Sequence, residues 1–146
     1  MSFISKIREA FSPGEEPARE FVDPVLGAMR WSEDDEAWIG EYNGFCFALP
    51  YERKREPGSA VVDYARETLA DPRWLNDGLA QARATAPRDF GQYYVDEVNS
   101  LIFGLIHFYS YKGQSRIFAE LEGGRDFRCW RIEYSEKKCE GMGFDS

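Results

Sequence analysis

The most constraining stretch of this chain is Leu101 to Tyr109, Leu-Ile-Phe-Gly-Leu-Ile-His-Phe-Tyr, because it is apolar at both sets of alternating positions. A strand with one wet face alternates polar and apolar residues, whereas a strand apolar on both sides needs cover on both. The run is therefore expected to be a central strand. It cannot be a membrane span, which needs about 18 or more apolar residues. This run is shorter and is broken by Gly104 and His107.

The rest of the chain arranges itself around that strand by changes of period. Residues 22–50 read as a β meander. Val25, Leu26, Met29 and Trp31 mark its first strand, interrupted by Gly27. Trp38, Gly40 and Tyr42 share one face of the second strand, and Phe45, Phe47 and Leu49 share one face of the third. Asn43-Gly44 joins the last two, since both residues accept the positive φ of a two-residue hairpin turn. Pro50 ends the meander. Residues 59–86 then switch to helical spacing. Ser59 is the expected N-cap of a helix carrying Val62, Ala65 and Leu69. Asp71-Pro72 is the expected start of a second helix, with Leu75, Leu79, Ala82 and Ala86 on its buried stripe and Pro87 closing it. Residues 88–99 fit either a short helix or an irregular approach to a strand. A second meander covers 101–134, with Ile117, Ala119 and Leu121 inward on one strand and Trp130, Ile132 and Tyr134 on the last.

Segregated strands and helices imply an α+β fold: antiparallel sheets from the two meanders, with two or three helices packed on one face. Residues 2–11 add an amphipathic helix with Phe3, Ile4, Ile7 and Phe11 on one stripe, followed by a Ser-Pro-Gly-rich linker to residue 17. The organisation expected is thus an N-terminal helix and linker (1–17) and one domain (18–146). A detached helix of that size is marginal in water. The stretch is expected to dock on the body, on a second copy to give a homo-oligomer, or on a partner.

Chemistry is sparse. His107 is the only histidine of 146 residues and lies in the most apolar run. It reads as a strand histidine with one satisfied hydrogen bond. An enzyme built here would use it, or a carboxylate such as Glu120 or Asp96. Cys46, Cys129 and Cys139 form an odd set without the close pairs, about two to four residues apart, that zinc sites use. They suit a reducing cytoplasm, with Cys46 and Cys129 as buried small apolar residues and Cys139 in a charged, exposed stretch. Gly123-Gly124 and Gly141-Met142-Gly143 lack the flanking residues of a phosphate loop. No cofactor and no metal are expected. The stripe Trp31, Trp38, Phe45, Phe47, Trp130 and Tyr134 reads as core.

The net charge is −8, which argues against a nucleic-acid partner and for steering toward a basic protein. Glu33, Asp34, Asp35 and Glu36 are the first contacts expected for it. They lack the alternation of a calcium loop. Arg53-Lys54-Arg55 is too short a basic cluster for nucleic acid.

Phe21-Val22-Asp23-Pro24-Val25-Leu26-Gly27 followed by Trp38-Ile39-Gly40 resembles the opening of small bacterial stand-alone domains of unknown function. There an Asp-x-x-Leu-Gly element precedes a Trp-x-Gly strand and a helical middle. Gly141-Met142-Gly143-Phe144-Asp145 is similar to their end, so the resemblance spans most of residues 21–146. It implies a bacterial, cytoplasmic domain without assigned activity. Some such domains travel with polymorphic toxins as immunity proteins. The resemblance carries over no catalytic residue. A non-enzymatic protein-binding module is the function expected first; an oligomerising protein and a small enzyme or ligand-binding protein are the alternatives.

Overall fold

The structure is a computed structural model that describes residues 19–51, 56–125 and 127–145. Eight strands form one sheet in sequence order. They are β1 (Glu20–Asp23), β2 (Gly27–Ser32), β3 (Ala37–Tyr42), β4 (Phe45–Pro50), β5 (Ile102–Tyr111), β6 (Gln114–Glu122), β7 (Cys129–Ser135) and β8 (Lys138–Asp145). Between β4 and β5 lie α1 (Ser59–Ala70), α2 (Arg73–Phe90), a 3-10 turn (Gln92–Tyr94) and α3 (Val95–Ser100). The expected N-terminal helix with Phe3, Ile4, Ile7 and Phe11, its linker, and the Arg53-Lys54-Arg55 cluster lie outside the described residues.

The expected antiparallel sheets are overturned. β4 and β5 pair in parallel, with Cys46, Phe47 and Ala48 opposite Leu105, Ile106 and His107, so the two meanders fuse into one mixed sheet. The physical reason is the long crossover. A parallel pair needs a connection of a dozen or more residues, and the helical segment supplies it. β5 is central as expected, and its doubly apolar character has a local cause. The register with β6 shifts between Phe103 and Ile106. Phe103 and Ile106 both join the core on the helix side, while Leu105 joins a smaller cluster with Ala37, Ile39 and Ala48 on the opposite face.

Each meander also holds a fourth strand. Of the residues expected on the first strand, Met29 and Trp31 lie on β2, but Val25 and Leu26 belong to the turn before it. The Asp23 carboxylate accepts the N–H groups of Val25 and Leu26, at 2.9 and 2.8 Å. Gly27 follows with φ +84°, and β1 folds back on β2. At the other end the chain turns at Glu136 and adds β8. Its register slips between Glu133 and Tyr134, which hides the alternation of Met142 and Phe144 behind a bulge.

The helices cover one face, and their buried stripes are those the spacing predicts: Val62, Ala65 and Leu69, then Leu75, Leu79, Ala82 and Ala86. Three boundaries differ. Gly58, not Ser59, is the N-cap of α1. Asp71 pairs with Arg73 instead of capping α2. Pro87 sits inside the last turn of α2, which runs on to Phe90. Residues 88–99 are largely helical. Tyr134 Oη donates to Leu75 O at 2.6 Å, and Arg83 donates to the carbonyls of Val98 and Leu101. These bonds seat α2 on β7 and on the end of α3. Among the described residues no helix is long and apolar enough to cross a membrane.

Candidate functional site

A cleft lies beside the turn that joins β2 and β3. Trp31 and Trp38 are cross-strand partners on β2 and β3. Trp38 is buried, and Trp31 is half-buried beside it at 5.7 Å between ring centroids. Tyr51 follows Pro50 directly and is held by a bridge to Pro57. Its ring meets Trp31 edge-on at 5.3 Å and remains 55% exposed. Trp31 is fixed by these ring contacts and not by its indole N–H, which is buried without an acceptor. Arg19, Trp31, Glu33, Glu36 and Tyr51 enclose about 270 Å³.

The turn between β2 and β3 supplies the acids. Asp35 N–H donates to Ser32 Oγ at 3.2 Å, and Ser32 Oγ donates to Asp35 Oδ2 at 3.0 Å. Asp35 is therefore spent on closing the turn. Asp34 is exposed and does not line the cleft. Glu33 and Glu36 do line it, and among the described residues neither carboxylate has an ion pair or hydrogen bond. Of the four acids expected to bind, two reach the cleft, one shapes it and one stands clear. Trp31 belonged to the expected core stripe, but it sits at the core's edge and serves as the cleft floor. Tyr51 and Arg19 carried no signal; only the Tyr51–Pro57 bridge and the backbone bond from Trp31 N–H to Arg19 O bring them there.

A side-chain cation completes the arrangement. The Arg19 guanidinium carbon lies 4.8 Å from the Trp31 ring centroid and 5.8 Å from that of Trp38. Cation–π contacts of this kind are worth roughly 0.5–1 kcal/mol at exposed sites. The cleft is smaller than the roughly 300–1,000 Å³ typical of small-molecule sites.

The residues considered for catalysis lie elsewhere. His107 stacks flat on Phe118, at 4.1 Å and 9°, and its Nε2 is 3.3 Å from Glu120 Oε2. Both are on the face away from the helices. Asp96 is exposed on α3. Burial pushes the Cys46 thiol up to about 11 and raises that of Cys139 as well. Neither forms much thiolate at neutral pH, and thiolate is what nucleophilic chemistry requires. The expected burial of the cysteines is corrected: Cys129, which opens β7 on its outward face, is exposed, and Cys46 and Cys139 are both half-buried. Among the described residues no three His, Cys, Asp or Glu side chains converge as a metal set.

The residues that carry the resemblance prove to be structural. Asp23 is buried and, besides its two turn N–H groups, pairs with Arg66 on α1. Arg66 holds its carboxyl down at about 2, helped by the two backbone N–H donors and opposed by burial. Leu26 is core. A Cβ on Gly40 would stand 2.7 Å from Phe47 Cζ, so glycine admits that ring. Phe144 packs on Trp130 at 4.6 Å. No family model, curated protein or solved structure matches this chain.

Proposed function

We propose that this protein is a non-enzymatic binding module that receives a basic protein partner at the Glu33–Glu36 cleft. The observation that carries the reading is a pair of carboxylates, without a partner among the described residues, that line one cleft with two aromatic rings. Carboxylates without partners are free to take a cation, and the Trp31 and Tyr51 faces add attraction that water does not screen away. Aromatic residues with a charged rim are also the composition of interface hot spots. The net charge of −8 steers a basic surface toward the molecule as a whole. A cytoplasmic immunity-type role, in which the module masks a basic toxin surface, is the physiological form of this reading.

Titration calorimetry with an arginine- and lysine-rich peptide tests it. The wild-type protein binds the peptide, and Glu33→Gln/Glu36→Gln weakens binding by about ten-fold or more, as loss of two favourable charge contacts requires. Raising the salt narrows the gap. Equal affinity of the double variant and wild type would overturn the proposal.

A further inference from the structure

The cleft already contains a cation of its own. Arg19 lies over Trp31, which is where an incoming cation would gain most from the rings. Its backbone is fixed, because its carbonyl accepts the Trp31 N–H at 3.2 Å. Its side chain is less constrained: Arg19 is exposed and among the described residues has no ion pair, neither with Glu33 nor with Glu36. It can therefore swing into solvent without breaking a salt bridge. What remains after that, among the described lining residues, is two carboxylates and two aromatic rings.

We infer that Arg19 is an internal plug of this cleft, and that the group which displaces it is the guanidinium of a partner arginine. The inference rests on the reading that the cleft takes a basic partner, and it adds the chemical class and a competitor in the same chain. Arginine is favoured over lysine by geometry. A planar guanidinium stacks on indole and offers several N–H donors in a fixed fork, which two nearby carboxylates can accept together. Lysine brings a strongly hydrated point charge that stacks less well. Arg19 holds its place by ring contacts alone, whereas a partner arginine gains the rings and the carboxylates. The plug screens the two acids from weak or non-specific cations, and it lowers the affinity for the true ligand by the free energy of its own ring contact.

The experiment compares full-length wild type, Arg19→Ala and Lys138→Ala with two ten-residue probes, alternating Gly-Arg and alternating Gly-Lys. Lys138 is on β8 at the far edge of the sheet, so its removal makes the same charge change away from the cleft. Arg19→Ala is expected to bind the arginine probe about three-fold tighter than wild type, the gain that removal of one exposed cation–π competitor allows. Lys138→Ala is expected to leave affinity unchanged, and both proteins prefer the arginine probe. The Arg19 Nε–H resonance of the wild-type protein, which needs no variant to fold, moves to its solvent position as the probe saturates. Unchanged or weaker binding by Arg19→Ala, equal gains in both alanine variants, or no preference between probes would overturn the plug. The binding role would survive those results if Glu33→Gln/Glu36→Gln still weakens binding. No binding by any of these proteins would end both proposals.

Discussion

Asp23 carries part of the resemblance and serves the architecture. Its carboxylate closes the β1–β2 turn and holds Arg66, so it ties the edge of the sheet to α1. The folded carboxyl titrates at about 2 against an ordinary 3.8. The charged form is the one the fold favours. Its contribution, on the order of 2 kcal/mol, is complete above about pH 4 and is lost as the pH falls through 2. Asp23→Asn is therefore expected to lower the thermal midpoint at pH 6 and to flatten its fall between pH 4 and 2, which calorimetry across that range reads. Gly40 makes a steric counterpart. Gly40→Ala puts a methyl 2.7 Å from Phe47 Cζ and 3.0 Å from Met29 Cγ. A cost of about 1–3 kcal/mol is expected for such overpacking, measured by urea unfolding. The alternation of Trp38, Gly40 and Tyr42 was legible in the sequence, since a period of two needs only neighbours. The partners of Asp23 were not, because Arg66 lies on a helix far along the chain.

Elements were legible where they repeat and obscure where they break. The buried stripes of α1 and α2 follow from spacing alone, and the Asn43-Gly44 hairpin forms with φ of 52° and 80°. β1 and β8 escaped notice for physical reasons. β1 is four residues long, and β8 is interrupted by a bulge and two glycines. Parallel pairing of β4 with β5 depends on where a helical crossover sets the chain down, which no local pattern states. The candidate site suffered the same limit: its acids sit in one turn and could be read, whereas its floor comes from three segments. The loop before β7 is pinned by a buried pair. Arg128 Nε lies 2.9 Å from Glu97 Oε2, and Arg125 N–H donates to Glu97 Oε1 at 2.6 Å. Burial opposes the charged form of Glu97, but these donors outweigh it and its carboxyl stays below the usual range. Glu97→Ala strands the Arg128 guanidinium beneath Tyr94 and Phe127. A loss of about 3–5 kcal/mol is expected, and Glu97→Ala/Arg128→Met is expected to recover part of it in denaturant titrations.

At the scale of the whole molecule, the parallel junction sits at the centre of the sheet with an antiparallel meander on each side. Opening it requires the helical layer to lift as well, since α1 packs on both β4 and β5. Native-state hydrogen exchange is expected to protect β4, β5 and β6 longest and to release β1 first; uniform protection across the sheet would contradict this. That frame presents the cleft beside the β2–β3 turn, where the proposed reading seats a basic partner. The most direct measurement is amide and indole chemical-shift mapping of the wild-type protein titrated with the arginine- and lysine-rich peptide. Shifts are expected to concentrate at the Trp31 indole, the amides of residues 33–36 and Tyr51. Shifts centred instead on His107 and Phe118, on the opposite face, or no shifts at all, would contradict it.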